Sequence, residues 1–231
     1  MQKVPSKAAP ANMVFRVLLC NWLAALLLYW GTTAAAAEAL RIVVLGDSLV
    51  AGFGLKPGEA FPAQLERALK GRGHAVEVIN AGVSGDTTAG GLARVAWAVP
   101  ERTDAVILEL GANDALRGLD PGRAKANLDQ IITTIKAAGA EVLLVGMMAP
   151  RNLGRDYVRA FDAIYPDLAG KHDLILYPFF LEGVAMNAKL NLDDGLHPNP
   201  KGVALITQSI LPAVEKLIER ARARQPAGSK G

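Results

Sequence analysis

From Leu40 onward the chain alternates short apolar runs with amphipathic stretches. The runs are 40–45 (LRIVVL), 76–79 (VEVI), 105–110 (AVILEL), 142–147 (VLLVGM) and 174–177 (LILY). Runs this short and this continuous are the pattern of strands buried on both faces. Between them, helical spacing of apolar positions appears near 60–71, 87–98, 122–138 and 154–170, and a last such stretch lies near 200–222. A βαβα alternation predicts an α/β fold, with a parallel sheet sandwiched between helices, because each crossover must return along one face. The helix signals agree. Pro121 precedes the third helix, Gly139 follows its end, and Asn199-Pro200 supply an N-cap and first position for the last. No internal repeat and no linker interrupts 40–218, so the pattern predicts one domain.

Upstream of that pattern, residues 1–37 read as a secretory leader. Lys3, Lys7 and Arg16 form a basic start, 17–30 is apolar apart from Asn21, and Ala34, Ala35, Ala36 and Ala37 supply small residues for cleavage. Left uncleaved, a segment of about 20 residues such as 17–37 could instead anchor the chain in a bilayer. Either outcome puts the domain outside the cytoplasm, periplasmic or secreted. The expected organisation is a signal peptide over 1–37, a domain over 38–222, and a basic, frayed tail over 223–231.

Composition narrows the function further. With 51% hydrophobic and 20% charged residues, the 231-residue chain is a packed globule, which excludes disordered, collagen-like and coiled-coil classes. The net charge of +3 belongs to the leader, which holds three basic residues and no acid; the other 22 basic residues are matched by 22 acidic ones. No polyanion-binding surface follows, and no nucleic-acid partner is expected. Cys20 is the single cysteine, and Leu19 before it is a poor match to a lipoprotein site. A chain cleaved after it has no thiol, which excludes disulfides, cysteine nucleophiles and thiolate-held metals.

In open α/β sheets, ligands bind beyond the carboxyl ends of the strands. The first run is followed by Gly46-Asp47-Ser48, the second by the stretch from Asn80 to Thr87 containing Gly85, and the third by Gly111-Ala112-Asn113-Asp114. Asp194-Gly195-Leu196-His197 precedes the last helix. A serine hydroxyl needs a base to take its proton, and that base needs a third group to fix its tautomer. Of the three histidines, His74 and His172 lie in helix-to-strand turns at the far edge of the sheet, which leaves His197. Asp194 can reach its Nδ1 along the loop, leaving Nε2 for Ser48. The oxyanion of acyl transfer needs preorganised donors, for which the Ser48 and Gly85 N–H groups and the Asn113 carboxamide are candidates. Asp47 is read as a brace for the serine turn; Asp86, Asp114, Arg117 and Asp193 are read equally as ion pairs or as solvated loop charges. Each block alone is an ordinary turn. Their conjunction, in one order and after the right elements, points to an acyl hydrolase.

These blocks resemble those of the SGNH (GDSL) hydrolase family: Gly46-Asp47-Ser48, Asn80-x-x-x-x-Gly85, Gly111-x-Asn113-Asp114 and Asp194-x-x-His197. The segments at 78–95, 108–118, 161–169 and 193–199 are similar to the periplasmic branch called thioesterase I, arylesterase or lysophospholipase, over about residues 40–220. The resemblance implies a flavodoxin-like three-layer α/β/α sandwich with a five-stranded parallel sheet. It implies a Ser48, Asp194, His197 triad and an oxyanion hole of Ser48, Gly85 and Asn113, with no metal and no cofactor. Implied substrates are small-molecule acyl esters and thioesters, lysophospholipids among them. A monomer with no membrane span after cleavage is the expected working form. In this branch a loop after the fourth strand lines the acyl site; here it is 149–154, with Ala149 where a larger aliphatic residue is common.

Two other readings stay open on the residues. A carbohydrate O-deacetylase would share the machinery, although aromatic platforms for a sugar are sparse. A flavodoxin-like binding module would share the alternation, although Asp47 stands where a phosphate-cradling loop is needed. A Gly-x-Ser-x-Gly elbow is absent, which argues against the α/β-hydrolase superfamily.

Overall fold

The computed structural model describes residues 1–3 and 38–224; most of the predicted leader, with Lys7, Arg16, Cys20 and the alanine run, lies outside the described residues, as does 225–231. Strands β1 Leu40–Gly46, β2 Val76–Gly82, β3 Ala105–Glu109, β4 Glu141–Val145 and β5 Ile175–Tyr177 form one parallel sheet. Their order is β2-β1-β3-β4-β5. This is the flavodoxin-like order, in which the winding reverses between β1 and β3 and opens a crevice beyond their carboxyl ends. The helices are α1 Ser48–Ala51, α2 Phe61–Gly71, α3 Thr88–Ala98, α4 Ala112–Leu116, α5 Pro121–Ala137, α6 Arg155–Asp162, α7 Ile164–His172 and α8 Pro200–Arg224. Helix α2 packs with α8, while α5 packs with α3, α6 and α7. The two groups cover opposite faces of the sheet and complete the predicted three-layer sandwich.

The buried runs became the central strands. β3 is buried along its whole length, and β1 and β4 are buried except for one residue each. The two outer strands depart from the expectation of burial on both faces: β2 is largely half-buried or exposed, and β5 is half-buried throughout. They are the sheet's edges, where neighbours are found on one side only. β2 also runs on to Gly82, with Asn80 paired opposite Val44 and Gly82 opposite Gly46. Asn80 is therefore a strand residue, not the first residue of a loop. Its pairing with β1 carries it there although Asn and Gly disfavour strands.

Helix boundaries follow local chemistry. Asp120 caps α5 by accepting from Gly122 N–H at 2.9 Å, and Asn199 Oδ1 caps α8 by accepting from Lys201 and Gly202 N–H at 3.0 and 3.1 Å. The single helix expected over 154–170 is two, divided at Ala163. Pro166 favours the break: it has no N–H for the Asp162 carbonyl, and its ring is best accommodated in a first helical turn, where it sits in α7. The last helix continues to Arg224, so 223 and 224 are helical where a frayed tail was expected.

One glycine fixes how β1 can end. A Cβ on Gly46 would stand 2.7 Å from both the carbonyl oxygen and Oε2 of Glu109. Only a residue without a side chain lets the two strands deliver their ends this closely.

Candidate active site

The strand-end loops meet beyond β1 and β3. Asp47 is the N-cap of α1, and its Oδ1 accepts from Leu49 N–H at 3.0 Å. This places half-buried Ser48 at the first helical position, where its N–H has no acceptor within the helix. Asp47 itself is fully buried. Its Oδ2 accepts from Asn113 Nδ2 at 3.0 Å, and its N–H reaches Glu109 Oε2 at 3.4 Å. Burial pushes the Asp47 carboxyl up to about 6, against the opposing pull of Leu49 N–H, the Asn113 amide and His197.

The loop before α8 is closed by the antiparallel bridge Asn191–Pro198 and by Leu192 N–H donating to the His197 carbonyl at 2.7 Å. Inside it, Asp194 Oδ1 accepts from the N–H groups of Leu196 and His197 at 2.9 and 3.0 Å. Asp194 Oδ2 lies 2.6 Å from His197 Nδ1, and His197 Nε2 lies 2.9 Å from Ser48 Oγ. The His197 N–H first, then its ring and Leu196 N–H, hold the Asp194 carboxyl at about 2. Asp194 is thus an acceptor only, so Nδ1 carries the proton and Nε2 is left to accept from the serine hydroxyl. Two distant parts of the chain, the turn after β1 and the loop before α8, thus supply one relay.

Phe53 was invisible to sequence reasoning, being one aromatic in a glycine-rich loop. Its ring centroid stands 4.5 Å from that of His197 with a tilt of 34°, and it is half exposed. It packs against the imidazole in a tilted ring contact.

The three donor candidates are differently placed. Gly85 takes a φ of +84°, which a side chain would strain, in a turn where Asp86 N–H donates to the Val83 carbonyl at 3.1 Å. Arg117 Nη2 donates to the Gly85 carbonyl at 2.9 Å. Asn113 lies in α4, and its Nδ2 donates twice, to Asp47 Oδ2 at 3.0 Å and to the Asp86 carbonyl at 2.9 Å. Both amide hydrogens of this candidate donor therefore have partners within the chain.

Charges near the site are mostly structural. Arg94, 6% exposed, donates to Asp86 Oδ2 at 2.6 Å and to the carbonyls of Ala81 and Gly46, each at 2.8 Å. It ties β1 and β2 to the Gly85 turn, a role the sequence did not mark. Asp114 is buried and makes no ion pair among the described residues; it accepts from Thr88 N–H at 2.8 Å and Thr88 Oγ1 at 2.7 Å. Asp193 is exposed. His74 contacts Glu215 and His172 contacts Asp129, both away from Ser48. Ala149 is buried, with its N–H on Asp162 Oδ1 at 3.0 Å, and Arg151 pairs with Asp162 Oδ2 at 2.6 Å, which anchors the loop after β4. Among the described residues, no group of three or more His, Cys, Asp or Glu is arranged to hold a metal ion.

The chain matches the GDSL-like lipase/acylhydrolase family over residues 44–205. It is 41% identical over 189 residues to an arylesterase of Vibrio mimicus, across 81% of this chain and 94% of that one. It is 40% identical over 187 residues to the thioesterase 1/protease 1/lysophospholipase L1 of Escherichia coli K12, across 80% and 88%. Among solved structures it is similar to AlinE4, an SGNH-hydrolase family esterase, with 46% identity, 79% and 98% coverage and a TM-score of 0.67.

The depressed Asp194 carboxyl contributes stability that is fully present above its ordinary value of 3.8 and is lost as pH falls through about 2. In urea titrations, the stability gap between wild type and Asp194→Asn is expected to be constant above about pH 5 and to shrink between about pH 4 and 2. A gap of the same size at both ends of that range would contradict the hydrogen bonding described.

Proposed function

The chain belongs to the GDSL-like lipase/acylhydrolase family and is a serine hydrolase of carboxylic esters and thioesters; from that premise we propose that Ser48 is its nucleophile, His197 its general base and Asp194 the carboxylate that orients the base. The observation that carries this reading is the unbroken relay from Asp194 Oδ2 through His197 to Ser48 Oγ, at 2.6 and 2.9 Å.

Ser48 Oγ attacks the acyl carbonyl carbon while its proton passes to His197 Nε2. The resulting imidazolium is stabilised by Asp194, which stays ionised. The carbonyl oxygen becomes an oxyanion beside the Ser48 and Gly85 N–H groups and the Asn113 amide. Asn113 donates there by sharing or exchanging its bond to the Asp86 carbonyl, since both amide hydrogens are already engaged. Collapse expels the alcohol or thiol with the proton from His197 and leaves an acyl-serine. Water then attacks that ester with His197 as base, the acid departs, and Ser48 regains its proton.

Aryl esters, acyl thioesters and lysophospholipids are the proposed substrate range, after the names of the similar arylesterase and thioesterase/lysophospholipase. Exposed apolar side chains on the site loops, Phe53, Val83, Leu116 and Leu196, suit an acyl chain better than a sugar. The loop at 149–154 is the proposed lining of the acyl end. Residues 1–37 are proposed to export the domain, which then works as a monomer in the periplasm or outside the cell. Among the described residues, no helix is long and apolar enough to cross a membrane.

Ser48→Ala is expected to retain its fold and lose p-nitrophenyl acetate hydrolysis by at least about a thousandfold. Full activity in that variant would overturn the assignment. Asn113→Ala is expected to lower kcat by about 10²–10³ with little change in KM, as removal of a transition-state donor requires. A change confined to KM would remove Asn113 from the oxyanion hole.

A further inference from the structure

Glu109 ends β3 and has no exposed surface. It is a carboxyl group in an otherwise apolar strand, set directly behind the serine turn. Among the described residues, its Oε2 accepts only the long 3.4 Å bond from Asp47 N–H and lies against Gly46, and its Oε1 has no hydrogen-bond partner. An ionised carboxylate with one weak donor and an orphaned oxygen is far costlier to bury than a neutral acid. The adjacent carboxyl is Asp47, also fully buried. Two neighbouring carboxyls in one dry pocket do not both ionise. Asp47 holds two good donors, Leu49 N–H and the Asn113 amide, each at 3.0 Å, and faces His197. The negative charge therefore settles on Asp47 and the proton on Glu109. A protonated Glu109 is a donor, and Asp47, whose N–H reaches Oε2 at 3.4 Å, is the carboxyl-bearing residue beside it.

We propose that Glu109 is a positioning residue of this site: a buried carboxylic acid whose proton is directed at Asp47, so that Asp47 stays ionised and keeps the Leu49 N–H and the Asn113 amide fixed beside Ser48. The inference rests on the reading of Ser48 as nucleophile and Asn113 as oxyanion donor. Glu109 touches no substrate and acts through Asp47. Its neutrality has a consequence for folding that does not depend on catalysis. Burial first, then the Asp47 charge, pushes the Glu109 carboxyl well above its ordinary value of 4.5. The folded chain then holds a proton that the unfolded chain releases, so Glu109 erodes stability as pH rises from about 4.5 toward its folded-state value. The ionisable groups facing this pocket are Asp47 beyond β1 and Tyr165 of α7, with Asp86 and His197 acting through Asp47, and Asp114 and Asp162 through Tyr165. Arg94, bonded to the Gly46 carbonyl, is committed to Asp86.

The test compares Glu109→Gln and Glu109→Leu with wild type in the full chain, using p-nitrophenyl butyrate kinetics and urea midpoints. Gln can donate to Asp47 and accept from its N–H as the neutral acid does, so its kcat is expected to stay within about threefold of wild type. Glu109→Leu is expected to lower kcat by roughly ten- to a hundredfold with KM within about twofold, the size of a lost hydrogen bond to a charged group. The urea midpoint of Glu109→Gln relative to wild type is expected to rise between about pH 5 and pH 8, because Gln has no proton to lose. A Gln variant that loses as much kcat as the Leu variant, or whose relative midpoint is flat with pH, overturns the proposal. Should Glu109→Leu fail to fold, the kcat and pH dependence of Glu109→Gln decide by themselves. The midpoint does not depend on which residue is the nucleophile, so its result is separable from that of Ser48→Ala.

Discussion

Where β1 and β3 end side by side, the chain buries two carboxyl groups and makes them useful. The register places Leu45 opposite Leu108, so Gly46 and Glu109 are the next residues of the two strands and must lie in contact. Burying Asp47 there is unfavourable unless its oxygens are satisfied, and the donors that satisfy them come from the start of α1 and from Asn113 in α4. Desolvation thus forces the loops after β1 and β3 to be ordered relative to each other. The Gly85 turn joins them through the Asp86 carbonyl on Asn113 and the Asp86 carboxylate on Arg94. A parallel sheet supplies the rest, since all its strands deliver their carboxyl ends to one edge.

Two carboxylates near one serine are driven in opposite directions by their surroundings. Asp194 is partly exposed and ringed by N–H donors, which holds it at about 2, while Asp47 is sealed from water and rises to about 6. The first suits a group that must remain an anion beside an imidazolium. The second suits a brace whose strength depends on the hydrogen bonds around it. The same residue type serves both ends because environment, not identity, sets the charge. Phe53 adds a ring contact to the histidine that neither carboxylate provides.

Much of this was legible in the sequence. The five apolar runs located the strands, and the glycine, asparagine and aspartate blocks after them located the loops that meet. The pair Asp194 and His197 was readable because three residues along a loop suffice for the contact, whereas its approach to Ser48 depends on the whole sheet. What escaped reading was set by tertiary packing. β2 extends through Asn80 because β1 pairs with it, and the helix break before Pro166 was hidden inside an amphipathic pattern. Arg94 and Phe53 carry no local mark of their roles. Glu109 did carry one, a lone acid in the run AVILEL, but its partners become known only when β1 lies beside β3. The double engagement of the Asn113 amide is likewise a property of assembled loops.

Covalent capture of the nucleophile tests the central chemistry most directly. Purified protein treated with p-nitrophenyl diethyl phosphate is expected to release about one equivalent of p-nitrophenol per active chain as a burst, as an activated serine would. Peptide mass mapping should then find a diethylphosphoryl group on the peptide containing Ser48 and nowhere else, with ester hydrolysis lost in proportion. An active, ester-hydrolysing preparation that carries the adduct on another residue, or that is inactivated with Ser48 unmodified, would contradict it.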